Sequence, residues 1–150
     1  MTNTESLLTL RTAFVATVLE KRMATASCPD NGSGETIQRA LREQIEQQAK
    51  DVPAAWLRAR LGLTASEEDV LWLLVAAETS SLVRGLIATV TGNTQLSVSN
   101  ITEIVYGDVP SLRAHRELSN GRLHRLELVQ RTDGGDETTP DFQRTLRAHP

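Results

Sequence analysis

The chain has 150 residues, 39% of them hydrophobic and only 3% aromatic, and its 16 Lys and Arg against 19 Asp and Glu leave a net charge of -3. That length suits one domain, able to bury roughly two-thirds of the surface of its unfolded chain without metals or disulfides. The acidic balance gives no overall attraction to a phosphate backbone. The single cysteine, Cys28, has no partner for an internal disulfide and is read as a bystander thiol. No basic-then-apolar leader opens the sequence, and no apolar run approaches the ~18 residues that span a bilayer, so no membrane and a cytoplasmic location are expected.

Residues 4–22 place Leu7, Leu10, Phe14 and Val18 on one helical stripe, with Glu5 near the start and Lys21 and Arg22 near the end, as the helix dipole favours. Residues 24–34 contain Pro29, Gly32 and Gly34 and read as a loop. A second helix over 35–50 aligns Ile37, Leu41, Ile45 and Ala49. Its charges form i,i+4 pairs on the other faces: Arg39 with Glu43, Arg42 with Glu46, and Glu46 with Lys50. Pro53 opens a short helix through Trp56, Leu57 and Leu61, which Gly62 stops.

The clearest local signal is Thr64-Ala65-Ser66-Glu67, a capping box in which hydroxyl and carboxylate satisfy each other's backbone amides. Residues 70–77 follow, apolar nearly all round. A buried strand is the alternative, but the cap and the lack of turn residues favour a central helix. Ser80 and Ser81 cap another helix carrying Leu82, Leu86, Ile87 and Val90. Ser97 starts a segment with Val98, Ile101, Ile104 and Val105 inward and Gly107 as C-cap; its β-branched residues leave a strand open. Pro110 opens a helix toward Leu118, which Asn120-Gly121 breaks. Residues 126–131 then alternate as a strand, 132–140 form a polar loop, and 141–148 return with Phe142 and Leu146. Helices followed by two strands and a loop are the plan of a winged helix. The expected fold is mainly α: a winged helix-turn-helix with a C-terminal β-hairpin wing over residues 53–150, behind a helical segment over 1–52.

From Leu61-Gly62-Leu63-Thr64 with Glu67, Asp69, Val70 and Leu71, through Leu112-Arg113 and Gly121-Arg122-Leu123, to residues 140–150, the chain resembles the N-terminal winged-helix domain of a group of bacterial AAA+ ATPases. Some of that group are associated with contractile injection systems. The resemblance covers about the last 90 residues. The family's Asp-Pro pair and aromatics near positions 79–86 are replaced here by Thr79, Ser80 and Ser81. The resemblance implies a recognition or regulatory module whose partner is another protein or the attached ATPase. ATP and Mg would belong to the ATPase domain, since no Gly-x-x-x-x-Gly-Lys-Ser/Thr occurs in this chain.

The sequence offers no catalytic arrangement. Gly32-Ser33-Gly34 is a loop tripeptide and not a nucleophile elbow. His115, His124 and His149 lack the spacing of metal ligands and read as surface histidines. Glu67, Glu68 and Asp69 are accounted for by helix capping. The glycosylation patterns at Asn31 and Asn100 read as chance. No catalytic, cofactor or metal residue is assigned.

Nucleic acid is disfavoured, because residues 64–109 set Arg84 alone against Glu67, Glu68, Asp69, Glu78, Glu103 and Asp108. A recognition helix over 98–106, without a basic residue, would be repelled by a duplex. The tail carries Arg113, Arg116, Arg122, Arg125, Arg131, Arg144 and Arg147, nearly balanced by acids. Tyr106, Arg122, Arg125 and Arg131 are the expected partner contacts. A DNA-binding regulator working through wing arginines is the alternative, and an enzyme of unassigned type a third reading.

Overall fold

The computed structural model describes residues 3–27, 33–49, 57–107, 111–132 and 143–149. Two long helices, α1 (Asn3–Ser27) and α2 (Ser33–Ala49), precede α3 (Leu57–Leu61), α4 (Ala65–Thr79) and α5 (Ser81–Thr91). A two-residue strand, β1 (Leu96–Ser97), leads into α6 (Val98–Ile101), which continues as a π-helical segment over Thr102–Tyr106. Then come α7 (Ser111–Asn120), α8 (Arg122–Arg125), β2 (Val129–Arg131) and β3 (Thr145–Ala148). The chain is mainly helical, as its composition predicts, with one small antiparallel sheet.

The punctuation seen in the sequence ends these helices where expected. Glu67 N–H donates to Thr64 Oγ1 at 3.1 Å and Thr64 N–H to Glu67 Oε2 at 2.9 Å, so the capping box is closed. Gly62 takes φ +64° after α3, and Leu63 N–H donates back to the Arg58 carbonyl at 2.9 Å. Ser80 ends α4 and caps α5, accepting from Val83 N–H at 3.3 Å across a 112° bend. Ser97 and Asn100 form a second reciprocal cap, so the Asn100 side chain is committed to starting α6.

Helix α4 is central because nearly every side is apolar. It buries Val70, Leu71, Leu73, Leu74 and Ala76. Val83 and Ile87 of α5, Ile101 and Ile104, and Leu123 close on it, with Leu96, Val129 and Leu146 of the sheet. Val15 and Leu19 of α1 enter the same core, so the first helix packs on α4 and α5. Helix α2 is held more lightly. Ile45 is its buried apolar residue, in a satellite cluster with Leu7 and Phe14 of α1. The expected boundary at 52/53, Pro53, Trp56, Cys28 and residues 133–140 all lie outside the described residues.

The sheet order is β1-β3-β2, with both pairs antiparallel: Leu96 opposite Leu146, and Val129 opposite Ala148. Helix α1 continues through Ser27 into the loop expected over 24–34, and two further details differ from the sequence reading. Residues 122–125 are a helical turn and the strand starts at Val129, because Leu123 is buried and the Arg122 N–H is bound by Glu67 Oε1 at 2.7 Å. The second is β1, which the sequence did not predict and which pairs across to β3. Among the described residues no single helix is long and apolar enough to cross a membrane.

Candidate functional site

Two places carry chemistry beyond simple packing: the face built by α7, α8 and β2, and a cavity beneath the N-terminal helices. The first is organised around the buried carboxylate of Glu67 and the partly buried one of Glu117. Glu67 is 3% exposed and joins the starts of α4 and α8, one oxygen on Thr64 N–H and the other on Arg122 N–H. Gly121 permits that approach. A Cβ there would stand 2.0 Å from the Glu117 carbonyl oxygen and 2.6 Å from Glu67 Oε1. Glu117 accepts from Tyr106 Oη at 2.9 Å and from Arg113 Nε at 3.2 Å, tying α7 to the π-helical segment.

Tyr106, expected as a partner contact, is only 5% exposed. Burial first, and then the hydrogen bond to the Glu117 carboxylate, push its phenol well above the usual tyrosine range. Tyr106 is an internal strut: its ring lies in the main core and its hydroxyl is held by Glu117 of α7. Arg122 and Arg125 lie at the surface, yet their guanidinium groups bind the chain itself. Arg122 Nη1 donates to the Leu61 carbonyl at 2.9 Å, and Arg125 Nε to the Asn120 carbonyl at 3.2 Å. Arg131 is exposed on β2. Its charge helps hold the neighbouring His124 below the usual imidazole range, behind the larger effect of burial. His124, expected as a surface residue, is half-buried, and among the described residues its Nε2 has no hydrogen-bond partner.

The sequence reading missed the outer face of α7. Ala114 and Leu118 point inward at i,i+4 spacing, which turns Leu112, Arg113 and Arg116 outward. Leu112 is 81% exposed, the most exposed large apolar residue among those described. That spacing was visible in the sequence. What hid its importance was choosing residues 98–106 as the recognition helix, when α7 stands between them and the ribbon.

The second place is a cavity of about 480 Å³ between α1, α2, α4 and the π-helical segment. Its apolar wall includes Phe14, Val18, Trp72, Leu73, Ile104 and Val105. Its charged lining is Arg11, Lys21, Arg22, Arg42 and Asp69. Arg11 stacks on Trp72 at 5.3 Å, and Arg42 on Phe14 at 5.0 Å. Arg11 also pairs with Glu68, which is 8% exposed and has Arg58 at 3.9 Å on its other oxygen. Arg42, expected to pair with Glu46 within its own helix, reaches Asp69 at 3.4 Å. Burial raises the Asp69 carboxyl above its usual value, and Arg42 is the foremost group opposing that shift. Glu68 and Asp69 thus do more than complement the helix dipole: they hold α1 and α2 onto α4. Among the described residues no group of three or more His, Cys, Asp or Glu is placed to hold a metal.

Comparison with protein-family models, with curated proteins and with solved structures returns no match for this chain.

Proposed function

We propose that the chain is a non-catalytic recognition module of winged-helix type, which binds a protein partner or an attached AAA+ ATPase through the outer face of α7 and the adjoining β2 edge. The observation that carries this reading is an order of elements: β1, α6 with its π-helical continuation, α7, the short α8 turn, then β2 and β3, with β1 pairing on the far side of β3. A winged helix needs that sequence of strand, two helices and ribbon, with the helix before the ribbon facing outward. Leu112 at 81% exposure, flanked by exposed Arg113 and Arg116, supports a protein-facing role. Protein interfaces favour apolar anchors and arginine over lysine and carboxylates. The link to an AAA+ ATPase, and ATP with Mg in that ATPase, rest on the sequence resemblance. A cytoplasmic setting belongs to the same reading.

A second reading gains from the structure. Were α7 the groove-reading helix, the element meeting DNA would carry Arg113, His115 and Arg116, in place of residues 98–106, which have no basic side chain. Glu117 neutralises Arg113 at 3.2 Å, and Arg122 and Arg125 are engaged by carbonyls, which favours the protein reading. Two titrations separate them. Calorimetry against an AAA+ ATPase domain of the proposed partner class should give saturable binding that Leu112→Asp removes. Anisotropy of a labelled duplex at low salt should stay flat. Salt-dependent duplex binding abolished by Arg113→Glu with Arg116→Glu would establish the DNA reading instead.

A further inference from the structure

We infer that the cavity beneath α1 and α2 is a binding site for a small amphipathic anion, an apolar body carrying a single negatively charged head. This inference is independent of the recognition reading.

This cleft of about 480 Å³ lies within the range of small-molecule sites. It abuts the main core: Val15 and Leu73, which line it, are both buried core residues. One wall is a π-helical segment, where Gly107 N–H reaches back five residues to the Thr102 carbonyl at 3.1 Å. Such wide turns are rare and concentrate at functional sites. This one supplies Ile104 and Val105 to the lining.

The charges around the space define the head group. Four cations line it: Arg11, Lys21, Arg22 and Arg42. Three are answered locally, Arg11 by Glu68, Lys21 by Glu35 at 2.9 Å, and Arg42 by Asp69 at 3.4 Å. Among the described residues Arg22 forms no ion pair. Its Nη2 lies over Gly107, 2.8 Å from where a Cβ would stand, so the glycine leaves room for the guanidinium. Among the described residues Arg11 Nε is also buried without a hydrogen-bond acceptor. Among the described residues one cation thus lacks an ion pair beside an apolar wall, which suits one anionic head and a hydrocarbon tail. A guanidinium binds a carboxylate-like group with two parallel donors. Helix α2, which forms one wall, is anchored by the Ile45 cluster and by two ion pairs with exposed partners.

The test uses octanoate as probe, octyltrimethylammonium as its cationic counterpart, and Trp72 emission in the otherwise intact chain with Trp56→Phe. Octanoate should bind saturably, one per chain by calorimetry, and shift Trp72 emission. The cationic surfactant should bind at least about tenfold more weakly. Arg22→Gln should lower octanoate affinity about tenfold, the loss of one charge-assisted contact. Val105→Trp and Val18→Trp, which fill the space from different walls, should abolish binding wherever circular dichroism shows the native helix content. Equal affinity for the two probes would overturn the inference. So would an Arg22→Gln chain that binds octanoate like the parent, or a folded tryptophan variant that keeps its affinity.

Discussion

The arginines at the two ends of the molecule differ in what they do, although the sequence writes them alike. Around the N-terminal cavity Arg11 and Arg42 lie on aromatic rings and reach carboxylates more than twenty residues away in sequence. Around the C-terminal ribbon Arg122 and Arg125 bond to backbone carbonyls close in space, Arg113 bonds to the glutamate one helical turn on, and Arg116 and Arg131 stand exposed. The first group holds α1 and α2 onto α4. The second splits into braces and exposed side chains, and only the exposed ones are available to a partner. Counting charges along a chain cannot make that distinction; only burial and the acceptor each guanidinium finds can.

Removing single arginines tests this contrast. The largest effect is expected at Arg11. Arg11→Ala leaves Glu68 buried, with only Arg58 at 3.9 Å, and removes the stacking on Trp72. A loss of about 3 kcal/mol in urea unfolding is expected, as for one partner removed from a buried pair. A loss under ~1 kcal/mol would place this pair with ordinary surface bridges. Arg122→Ala removes the bond to the Leu61 carbonyl and should lower stability by about 1 kcal/mol, measured the same way. Its backbone tie to Glu67 would remain.

A smaller, pH-dependent effect is expected at His124. Its folded pKa lies below the unfolded value of 6.5, chiefly through burial and then through Arg131. The neutral imidazole is therefore the form that the fold favours. The stability this contributes is complete above pH 6.5 and is lost as pH falls through the lowered folded value. His124→Gln should flatten that part of the stability profile, and an unchanged slope below pH 6.5 would show that His124 is not its source. The smallest effect belongs to Arg131. Arg131→Ala should change stability by less than ~0.5 kcal/mol, since the side chain is exposed.

Much of the fold could be read from local chemistry. The Thr64 capping box, the stop at Gly62, the Ser97 start and the Gly107 end each depend on a few adjacent residues, and each is found in the structure. What sequence could not supply depends on distant partners. Strand β1 is two residues long and exists because β3 lies beside Leu96 and Ser97. The turn at residues 122–125 is helical because Glu67, from another helix, captures the Arg122 amide. Tyr106 reads as a surface aromatic beside a glycine, and only the position of Glu117 turns it inward. The cavity was unreadable for the same reason. Its lining comes from α1, α2, α4 and the π-helical segment, and no spacing along the chain announces that Arg22 and Gly107 meet.

The most direct measurement for the proposed recognition face is a proton–nitrogen correlation spectrum of the labelled chain, recorded as an AAA+ ATPase domain of the proposed partner class is added. Shifts concentrated on the amides of Leu112, Arg113, Arg116 and Arg131, with α1 and α2 unmoved, are the predicted outcome. Perturbations confined to α1 and α2, or a spectrum that does not change at saturating domain, would contradict it.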